Sequence, residues 1–396
     1  GATRQLTGVA AGTEANDAVN KAQLDEVADS VGDANDYFSA NGAGDGSDVA
    51  IADGENATAA GANSSANGVE SSAYGYQSNA VGDYSTAVGG SSLALGTGSS
   101  AYGTGANAIG EFSSASGYGA IAEGDNSSAV GTNASASGGS SFAGGAGSQS
   151  NGGGSVALGA NSIANGSNGV AVGAGSESNG FFATAVGGLA WANAPFTTAI
   201  GAFATADGWQ STAIGNGAYA TDFNATAIGS GAMSGVAGVA IGSGAASGYW
   251  TTDEETGENV FFGTQGTAVG QNAAATGQYS TALGGFSDGS FSSAGATGQY
   301  STAIGSGAYA GSYWDSELIG DRTTAVGSES WAIGNSATSL GFNSFAQSDN
   351  ATVLGANAWT TPEASNSVAL GQGSLAERPN VVSVGAAHEW TDAGGT

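Results

Sequence analysis

The chain has 396 residues, among them 73 glycines, no cysteine and 33 acidic against four basic residues, which gives a net charge of −29. The lack of cysteine excludes disulfides, thiolate chemistry and cysteine-based zinc sites. A charge this negative makes nucleic acid and anionic membrane poor partners, and it is typical of a surface kept soluble outside the cell. No apolar run approaches the roughly 20 residues of a membrane-spanning helix, so we expect no membrane contact by this segment.

The first 36 residues differ in composition from the rest. Leu24, Val27 and Val31 are spaced three and four residues apart among helix-forming residues, which predicts a short coiled-coil segment closing at Gly32. No leader-like stretch opens the chain, and we expect both ends to continue in a longer protein.

Beyond this segment glycine recurs every seven residues from Gly54 to Gly229, and only Ala194 and Asp222 break the grid. Self-similarity over such a distance predicts a solenoid. The neighbours of the glycines divide the grid into two alternating phases, so the true period is fourteen residues. The first phase includes Gly61, Gly75 and every fourteenth residue to Gly229, and the second phase runs from Gly54 to Asp222. Two short strands per coil are predicted, each ending at a grid position.

Side chains alternate across a strand, so the residue two before each glycine points opposite to those one and three before it. The former is Ala in every first-phase coil, which predicts a narrow lumen lined by small side chains. The residue just before a first-phase glycine is usually Val, Ile, Leu or Tyr, whereas its second-phase counterpart is usually polar. One outer face is therefore predicted to be apolar and the other wet.

An exposed apolar row of this length predicts self-association, because soluble monomers rarely present so large an apolar strip. A thin alanine core buries little apolar area, so we expect contacts between chains to supply much of the stability. The predicted interface residues are Val88, Val130, Leu158, Val172, Val186, Ile200, Ile214 and Ile228.

Two excursions interrupt the repeat, near residues 243–266 and 306–323, and each contains a Tyr-Trp pair. The first predicts a hairpin, because YWTT and NVFF flank an acidic turn that contains glycine. All seven tryptophans fall at or after Trp191. We predict an exposed adhesive patch on this half of the chain, to which Phe181, Phe182, Phe196 and Phe203 would add. Its leading candidates are Trp191, Trp209, Tyr249, Trp250, Tyr313 and Trp314. The alternative is that the excursions pack over a neighbouring subunit and the aromatic rings seal seams.

Chemistry other than binding has little support. His388 is the single histidine and lies near one end, and paired acids such as Glu254 and Glu255 fall in the predicted hairpin turn, where solvated charge is the default. The nine-residue repeat of calcium-binding solenoids, the EF-hand loop and histidine clusters are all missing from the sequence. We therefore expect no catalytic residues, no metal site and no cofactor.

At this point several motifs resemble the trimeric autotransporter adhesins, whose YadA-type heads repeat the motif NSVAIG and a companion AxG at fourteen-residue spacing. Asn366 to Gly371 reads NSVALG, and Arg4 to Leu24 resembles the neck of that family, with DAVN from Asp17 to Asn20 followed by Gln23 and Leu24. Asn380 to Gly385, NVVSVG, resembles a strand that leads into a further neck. The neck residues that the resemblance singles out are Asp17, Val19, Asn20 and Leu24.

The resemblance implies an all-β, left-handed parallel β-roll head that forms a homotrimer, with a short N-terminal neck and a coiled-coil helix. We assign residues 1–24 to the neck, 25–36 to the coiled coil, 37–386 to the head with its two insertions, and 387–396 to the next connector. The resemblance also implies a protein on the bacterial cell surface, held in the outer membrane through a region outside this chain.

The function predicted on this basis is a non-enzymatic adhesin head that attaches to host matrix protein, glycan, cells or an abiotic surface. A structural spacer or a phage fibre is the main alternative, since about two dozen coils at ~4.8 Å each span roughly 110 Å. An ice-binding solenoid is a further alternative, because Thr or Ser stands three residues before most first-phase glycines, from Thr58 to Thr226. That array lies on the face assigned to the trimer, so ice would have to bind the other face.

Overall fold

A computed structural model describes residues 6–35, 43, 45–252, 259–285, 293–311 and 320–385. The chain is an all-β parallel solenoid preceded by one helix, Lys21–Asn35. The predicted solenoid is therefore confirmed.

The helix is fixed at its start by a reciprocal pair of hydrogen bonds. The Gln23 backbone N–H donates to Asn20 Oδ1 at 3.0 Å, and the Asn20 backbone N–H donates to Gln23 Oε1 at 3.3 Å, which is a capping box. The Gln23 amide also binds both backbone groups of Gly12, at 2.9 and 3.0 Å. Gln23 thus ties the preceding segment to the first helical turn, and the helix begins inside the range assigned to the neck.

Each coil of the solenoid contributes one strand to each of two parallel sheets. The first-phase sheet has 22 strands of three residues. They are Thr58–Ala60, Ser72–Tyr74, Thr86–Val88, Ser100–Tyr102, Ser114–Ser116, Ser128–Val130, Phe142–Gly144, Val156–Leu158, Val170–Val172, Thr184–Val186, Thr198–Ile200, Thr212–Ile214, Thr226–Ile228, Val239–Ile241, Thr267–Val269, Thr281–Leu283, Thr302–Ile304, Thr324–Val326, Thr338–Leu340, Thr352–Leu354, Val368–Leu370 and Val382–Val384.

In the described residues the second-phase sheet has 23 strands, most of them two residues long, and one of these, Asn259–Gly263, joins only through its antiparallel pairing with Ala246–Thr252. They are Ile51–Ala52, Ser65–Ala66, Asn79–Ala80, Leu93–Ala94, Asn107–Ala108, Ile121–Ala122, Ser135–Ala136, Gln149–Ser150, Ile163–Ala164, Glu177–Ser178, Trp191–Ala192, Thr205–Ala206, Tyr219–Ala220, Met233–Ser234, Ala246–Thr252, Asn259–Gly263, Ala274–Ala275, Gly295–Ala296, Tyr309–Ala310, Trp331–Ala332, Phe345–Ala346, Trp359–Thr360 and Leu375–Ala376.

The lumen between the sheets is filled by small side chains, as the alternation predicts. Ala80 and Ala87, which precede glycines of opposite phase in one coil, are both fully buried. A second inward position, three residues after each glycine, is mostly taken by Ser or Ala, as at Ser78 and Ser85, which are also fully buried. Val353 is the largest fully buried side chain in the described residues, and its neighbours in register include the small Ser339. A lumen this narrow admits only short side chains, which explains the alanine columns.

The two kinds of corner glycine are required for different reasons. First-phase glycines such as Gly201 have φ near +131°, and an added Cβ would lie 2.4 Å from the carbonyl oxygen of Gly215 in the next coil. That backbone region is essentially reserved for glycine. Second-phase glycines such as Gly180 have ordinary φ and are required only by close approach of the backbone. A Cβ added to Gly180 would lie 1.9 Å from the carbonyl oxygen of Ala194. Both exceptions to the seven-residue grid fall in the second phase, where strain from φ does not arise.

The irregularities of the repeat that the described residues show fall at corners. The thirteen-residue coil pairs Thr226 with Val239 in register, so its deletion is absorbed without disturbing the first-phase sheet. The predicted hairpin is confirmed, since Ala246–Thr252 pairs antiparallel with Asn259–Gly263. Ala274 pairs with Gly295, 21 residues on, which reveals a third insertion that the sequence analysis did not single out.

Candidate adhesive surface

The predicted interface residues form one column on the outside of the first-phase sheet. All eight end three-residue strands, and register pairs them directly from Leu158 through Val172, Val186 and Ile200 to Ile228. The column continues beyond the predicted set through Ile241, Val269, Leu283, Ile304, Val326, Leu340, Leu354, Leu370 and Val384. Each member is half-buried or exposed in the single chain. The molecule thus carries an uninterrupted apolar strip along most of its length.

The opposite face is polar over its middle third, in agreement with the predicted wet face. Asn151, Asn165, Asn179 and Asn193 lie in consecutive coils, and each side-chain amide donates to the next carbonyl oxygen at 2.7 to 3.0 Å. The last of them donates to Asp207 Oδ1 at 2.6 Å. Burial, followed by the charge of the Asp207 carboxylate, raises the pKa of the nearby Tyr219 phenol. These hydrogen bonds between side chains of consecutive coils fix the spacing of polar groups on this face.

Aromatic rings gather along the corner that follows the second-phase strands. We call this set the aromatic edge; its members, each between 42% and 52% exposed, are Phe181, Phe182, Phe196, Trp209, Phe223, Tyr279 and Tyr300. Ring centroids of Phe182 and Phe196 lie 5.9 Å apart, and those of Trp209 and Phe223 lie 5.3 Å apart, in stacked arrangements. An edge-to-face contact of 6.1 Å between Phe196 and Trp209 joins the two pairs. Rings from four successive coils therefore form one apolar stripe.

Four of these rings occupy a strained backbone position. The residue two after a corner position has a left-handed conformation, with φ of 53° at Phe182, 59° at Phe196, and 57° at both Tyr279 and Tyr300. Elsewhere in the roll the same place is commonly taken by Asn or Gly, as at Asn168, which adopt this region at little cost. A bulky residue there is an outlier. The stripe is thus built against local backbone preference.

The hairpin leaves the roll at this same corner. Tyr249 stacks on Phe262 at 6.0 Å, and Trp250 meets Phe261 at 5.5 Å. Phe261 is 8% exposed, whereas Trp250 is 51% exposed. Phe261 therefore anchors the hairpin on the roll, and Trp250 remains available for contact.

The remaining candidates lie elsewhere. Trp191 is on the outer face of the second-phase sheet, beside Glu177 and Thr205 in register, and is 43% exposed. Phe203 follows the first-phase Gly201 and therefore lies at the opposite edge, so grouping it with Phe196 was wrong. Tyr313 and Trp314 lie outside the described residues, as do His388 and the connector at 387–396.

Sequence reasoning missed a second aromatic array, on the outer face of the second-phase sheet. Tyr309, Trp331, Phe345 and Trp359 occupy the same strand position in four successive coils. Trp331, Phe345 and Trp359 keep the fourteen-residue spacing, which could have revealed them in the sequence, whereas the eight extra residues after Tyr309 hid its place in the array. We call these four residues the aromatic ladder.

The neck residues fall in the segment tied to the helix. Asp17 Oδ2 accepts hydrogen bonds from the backbone N–H groups of Thr13 at 2.9 Å and Glu14 at 3.0 Å. These backbone hydrogen bonds lower the pKa of the Asp17 carboxyl. Val19 and Leu24 are 69% and 63% exposed in the single chain. Apolar side chains this open are suited to contact with further copies of the neck.

No cluster of three or more metal-ligating side chains occurs in the part of the chain that the structure describes. Within that same part, no helix has the length and apolar character needed to cross a membrane. A long solenoid with an apolar strip and an aromatic edge defines a fibrous, surface-type binding module.

Comparison with known families identifies the module. Residues 5–46 match the coiled stalk of trimeric autotransporter adhesins. The YadA head domain repeat matches at 52–78, 66–92, 80–106, 101–127, 122–148, 150–176, 178–204, 206–232, 263–287, 292–312, 319–344, 332–358, 346–374 and 363–387. These segments cover well over half of the chain, which belongs to the trimeric autotransporter adhesins and is an adhesin head of the YadA type. Membership implies a protein displayed on the cell surface from an outer-membrane anchor.

No curated protein matches the chain. Among solved structures, the collagen-binding domain of the Yersinia adhesin YadA is 19% identical, with 55% of this chain and 73% of that chain covered and a TM-score of 0.16. A superposition this poor carries no argument about fold or ligand, and the family assignment rests on the repeats.

Proposed function

We propose that this head acts as a homotrimer in which the first-phase sheets face the three-fold axis and the aromatic edge meets the surface to which the cell attaches. The surface to which it would attach is a matrix protein, a cell surface or an abiotic material. The observation that carries the proposal is the contiguous stripe of half-exposed aromatic rings in successive coils, in which Phe182 and Phe196 also occupy left-handed backbone positions.

The assembly follows from the apolar column. Val186, Ile200 and Ile214 are successive members of a strip that would otherwise face water along most of the roll. Burial of apolar area stabilises by about 25 cal/mol per Å², and the alanine lumen supplies little of it. A closed symmetric assembly covers the strip on every copy at once. The exposed Val19 and Leu24 of the neck would be covered by the same symmetry.

We infer the adhesive role from backbone strain that packing within the chain does not offset. A bulky residue in the left-handed region costs on the order of 1–3 kcal/mol. Phe182 and Phe196 keep nearly half of their surface exposed, so packing within the chain recovers only part of that cost. Exposed apolar patches of this kind mark interaction sites. The aromatic edge is therefore assigned to contact with the target.

The double variant Phe182→Asn/Phe196→Asn tests this assignment. Asn fits the left-handed position at both sites, as Asn168 and Asn224 do in the same column. The trimer should be at least as heat-stable as the parent, while attachment to immobilised matrix proteins and to plastic should fall several-fold. Rings that merely seal seams would give the opposite pattern, with lower stability and unchanged attachment.

The matched control is Phe203→Asn, because Phe203 has the same φ of 59° as Phe196 but lies at the opposite edge. Its attachment should equal that of the parent. If the edge variant and the control both attach normally, the head acts as a spacer and contact lies elsewhere.

A further inference from the structure

A notch with two aromatic walls lies on the outer face of the second-phase sheet. Register places Trp191, Thr205 and Tyr219 at the same strand position in three successive coils. Side chains stand roughly perpendicular to a sheet, so the two rings rise on either side of a much shorter residue. The aromatic ladder differs, because a ring stands in each of its coils. Thr205 therefore forms the floor of an open notch between Trp191 and Tyr219.

The two walls are a short and defined distance apart. Trp191 is 43% exposed, and its indole contacts no other ring of the described residues. Tyr219 is half-buried and has Met233 as its register neighbour on the side away from the notch. Two strand spacings of about 4.8 Å separate the walls. A group centred in the notch therefore lies about 5 Å from each ring.

Two carboxylates border the notch. Glu177 is the register neighbour of Trp191 on the side away from Thr205. Asp207 stands two residues after Thr205 and therefore shares its face. Asn193 Nδ2 donates to Asp207 Oδ1 at 2.6 Å and holds this carboxylate in place. The notch thus has one negative charge beside its floor and another behind one wall.

The surrounding coils supply no counter-ion for these charges. Lysine, arginine and histidine are all missing from the sequence between Lys21 and Arg322. Burial, followed by the charge of Asp207, raises the pKa of the Tyr219 phenol, so that carboxylate lies close to one aromatic wall. A cation from outside the chain is the group that this arrangement favours.

We propose that the notch binds a quaternary ammonium group such as the head of choline. A cation at its centre lies within the ~6 Å over which the faces of Trp and Tyr attract a positive charge. The two carboxylates add to that attraction. A trimethylammonium group has no N–H to donate, so aromatic walls suit it better than a set of hydrogen-bond acceptors. A primary ammonium is more strongly hydrated and gains less from such walls.

This inference goes beyond the adhesive role of the aromatic edge and rests on the proposed assembly in one respect. With the first-phase sheets at the axis, the second-phase sheet faces outward, and each of the three copies presents one notch. The notch shares no residue with the aromatic edge, so the two surfaces can be tested separately.

The test is saturation-transfer NMR of the intact protein with choline chloride at low salt, with the uncharged tert-butyl analogue of choline as the comparison. Choline should bind, and the analogue should bind at least about tenfold more weakly because it lacks the positive charge. Asp207→Asn keeps an acceptor for Asn193 and should weaken choline binding several-fold. Thr205→Phe should abolish binding by filling the notch, and it should fold because the aromatic ladder already carries a ring in every coil.

Trp191→Ala should also abolish choline binding, and Trp359→Ala is its matched control. Trp359 has the same strand position on the same face and is also 43% exposed, but its register neighbours are Phe345 and Leu375. The affinity of Trp359→Ala should equal that of the parent. Absence of transfer to choline, equal binding of choline and its analogue, or equal losses in Trp191→Ala and Trp359→Ala would overturn the inference.

Two further measurements on the same samples complete the test. Competition by phosphatidylcholine vesicles would show that the site takes a lipid headgroup, and failure of the vesicles to compete would restrict it to free choline. Solution mass and plastic attachment report separately on the proposed assembly and on the aromatic edge.

Discussion

Gly248 and Gly311 share a φ of 138° and occupy the same place in their coils, directly after the last inward residue of a second-phase strand. The preceding Ser247 and Ala310 are both fully buried. A left-handed glycine at this point turns the chain out of the coil. The hairpin therefore leaves the roll at the corner that carries the aromatic edge, and the second excursion begins directly after the equivalent glycine.

Glycine-to-alanine substitutions should separate the two kinds of corner. Gly201→Ala adds strain from φ to the backbone clash, whereas Gly180→Ala adds the clash alone. The second-phase corner already accommodates Ala194. We expect Gly201→Ala to cost at least about 1–3 kcal/mol more than Gly180→Ala, measured by chemical denaturation. Equal costs would show that the close approach, and not φ, selects glycine in both phases.

Two buried serines of one coil should respond differently to removal of the hydroxyl. Ser78 Oγ donates to the Gly75 carbonyl at 3.0 Å, while Ser85 Oγ has no hydrogen-bond partner among the described groups. Ser78→Ala should cost about 1 kcal/mol, and Ser85→Ala should be neutral or stabilising, because an unsatisfied buried hydroxyl is destabilising. Thermal unfolding of the two variants decides the point, and a larger loss for Ser85→Ala would refute it.

The neck should loosen in acid through Asp17. Its pKa is lowered from the ordinary value of 3.8 by the hydrogen bonds from Thr13 and Glu14. A lowered folded-state pKa means that the stabilisation is complete above the unfolded-state pKa and is lost as pH falls through the folded-state value. The protection factors of the Thr13 and Glu14 amides, which compare measured exchange with the intrinsic rate at the same pH, should fall as the pH drops below about 4. Asp17→Ala removes the acceptor and should give low protection factors at every pH; protection that still falls with pH in Asp17→Ala would contradict this role.

A single charge in the apolar column should disrupt the assembly. Ile200→Asp would place a carboxylate from each chain at the predicted three-fold axis, where an unpaired buried charge is costly. The expected result is a shift to lower mass in light scattering. Asn179→Asp adds the same charge to the opposite face and should leave the mass unchanged. Dissociation by Asn179→Asp instead would place the interface on the second-phase sheet.

The repeat made the roll predictable, because each position of the coil is sampled many times. Small residues such as Ala80 and Ala87 predict the lumen, and apolar residues such as Val186 and Ile200 predict the apolar face. The aromatic surfaces were harder, since ring contacts depend on which corner a residue occupies. Phe203 follows Phe196 by seven residues. Because seven residues are half a coil, Phe203 lies on the opposite edge although it is close to Phe196 in the sequence. The insertion after Tyr309 hid that residue's place in the ladder, although Trp331, Phe345 and Trp359 keep the fourteen-residue spacing.

The most direct test of the whole account is the mass of the intact protein in solution. Native mass spectrometry or light scattering should give three times the chain mass of 37.5 kDa. That result is expected because the column from Leu158 to Val384 requires cover along its length. A particle of one chain mass, stable and folded by circular dichroism, would contradict the trimer and the orientation of every surface derived from it.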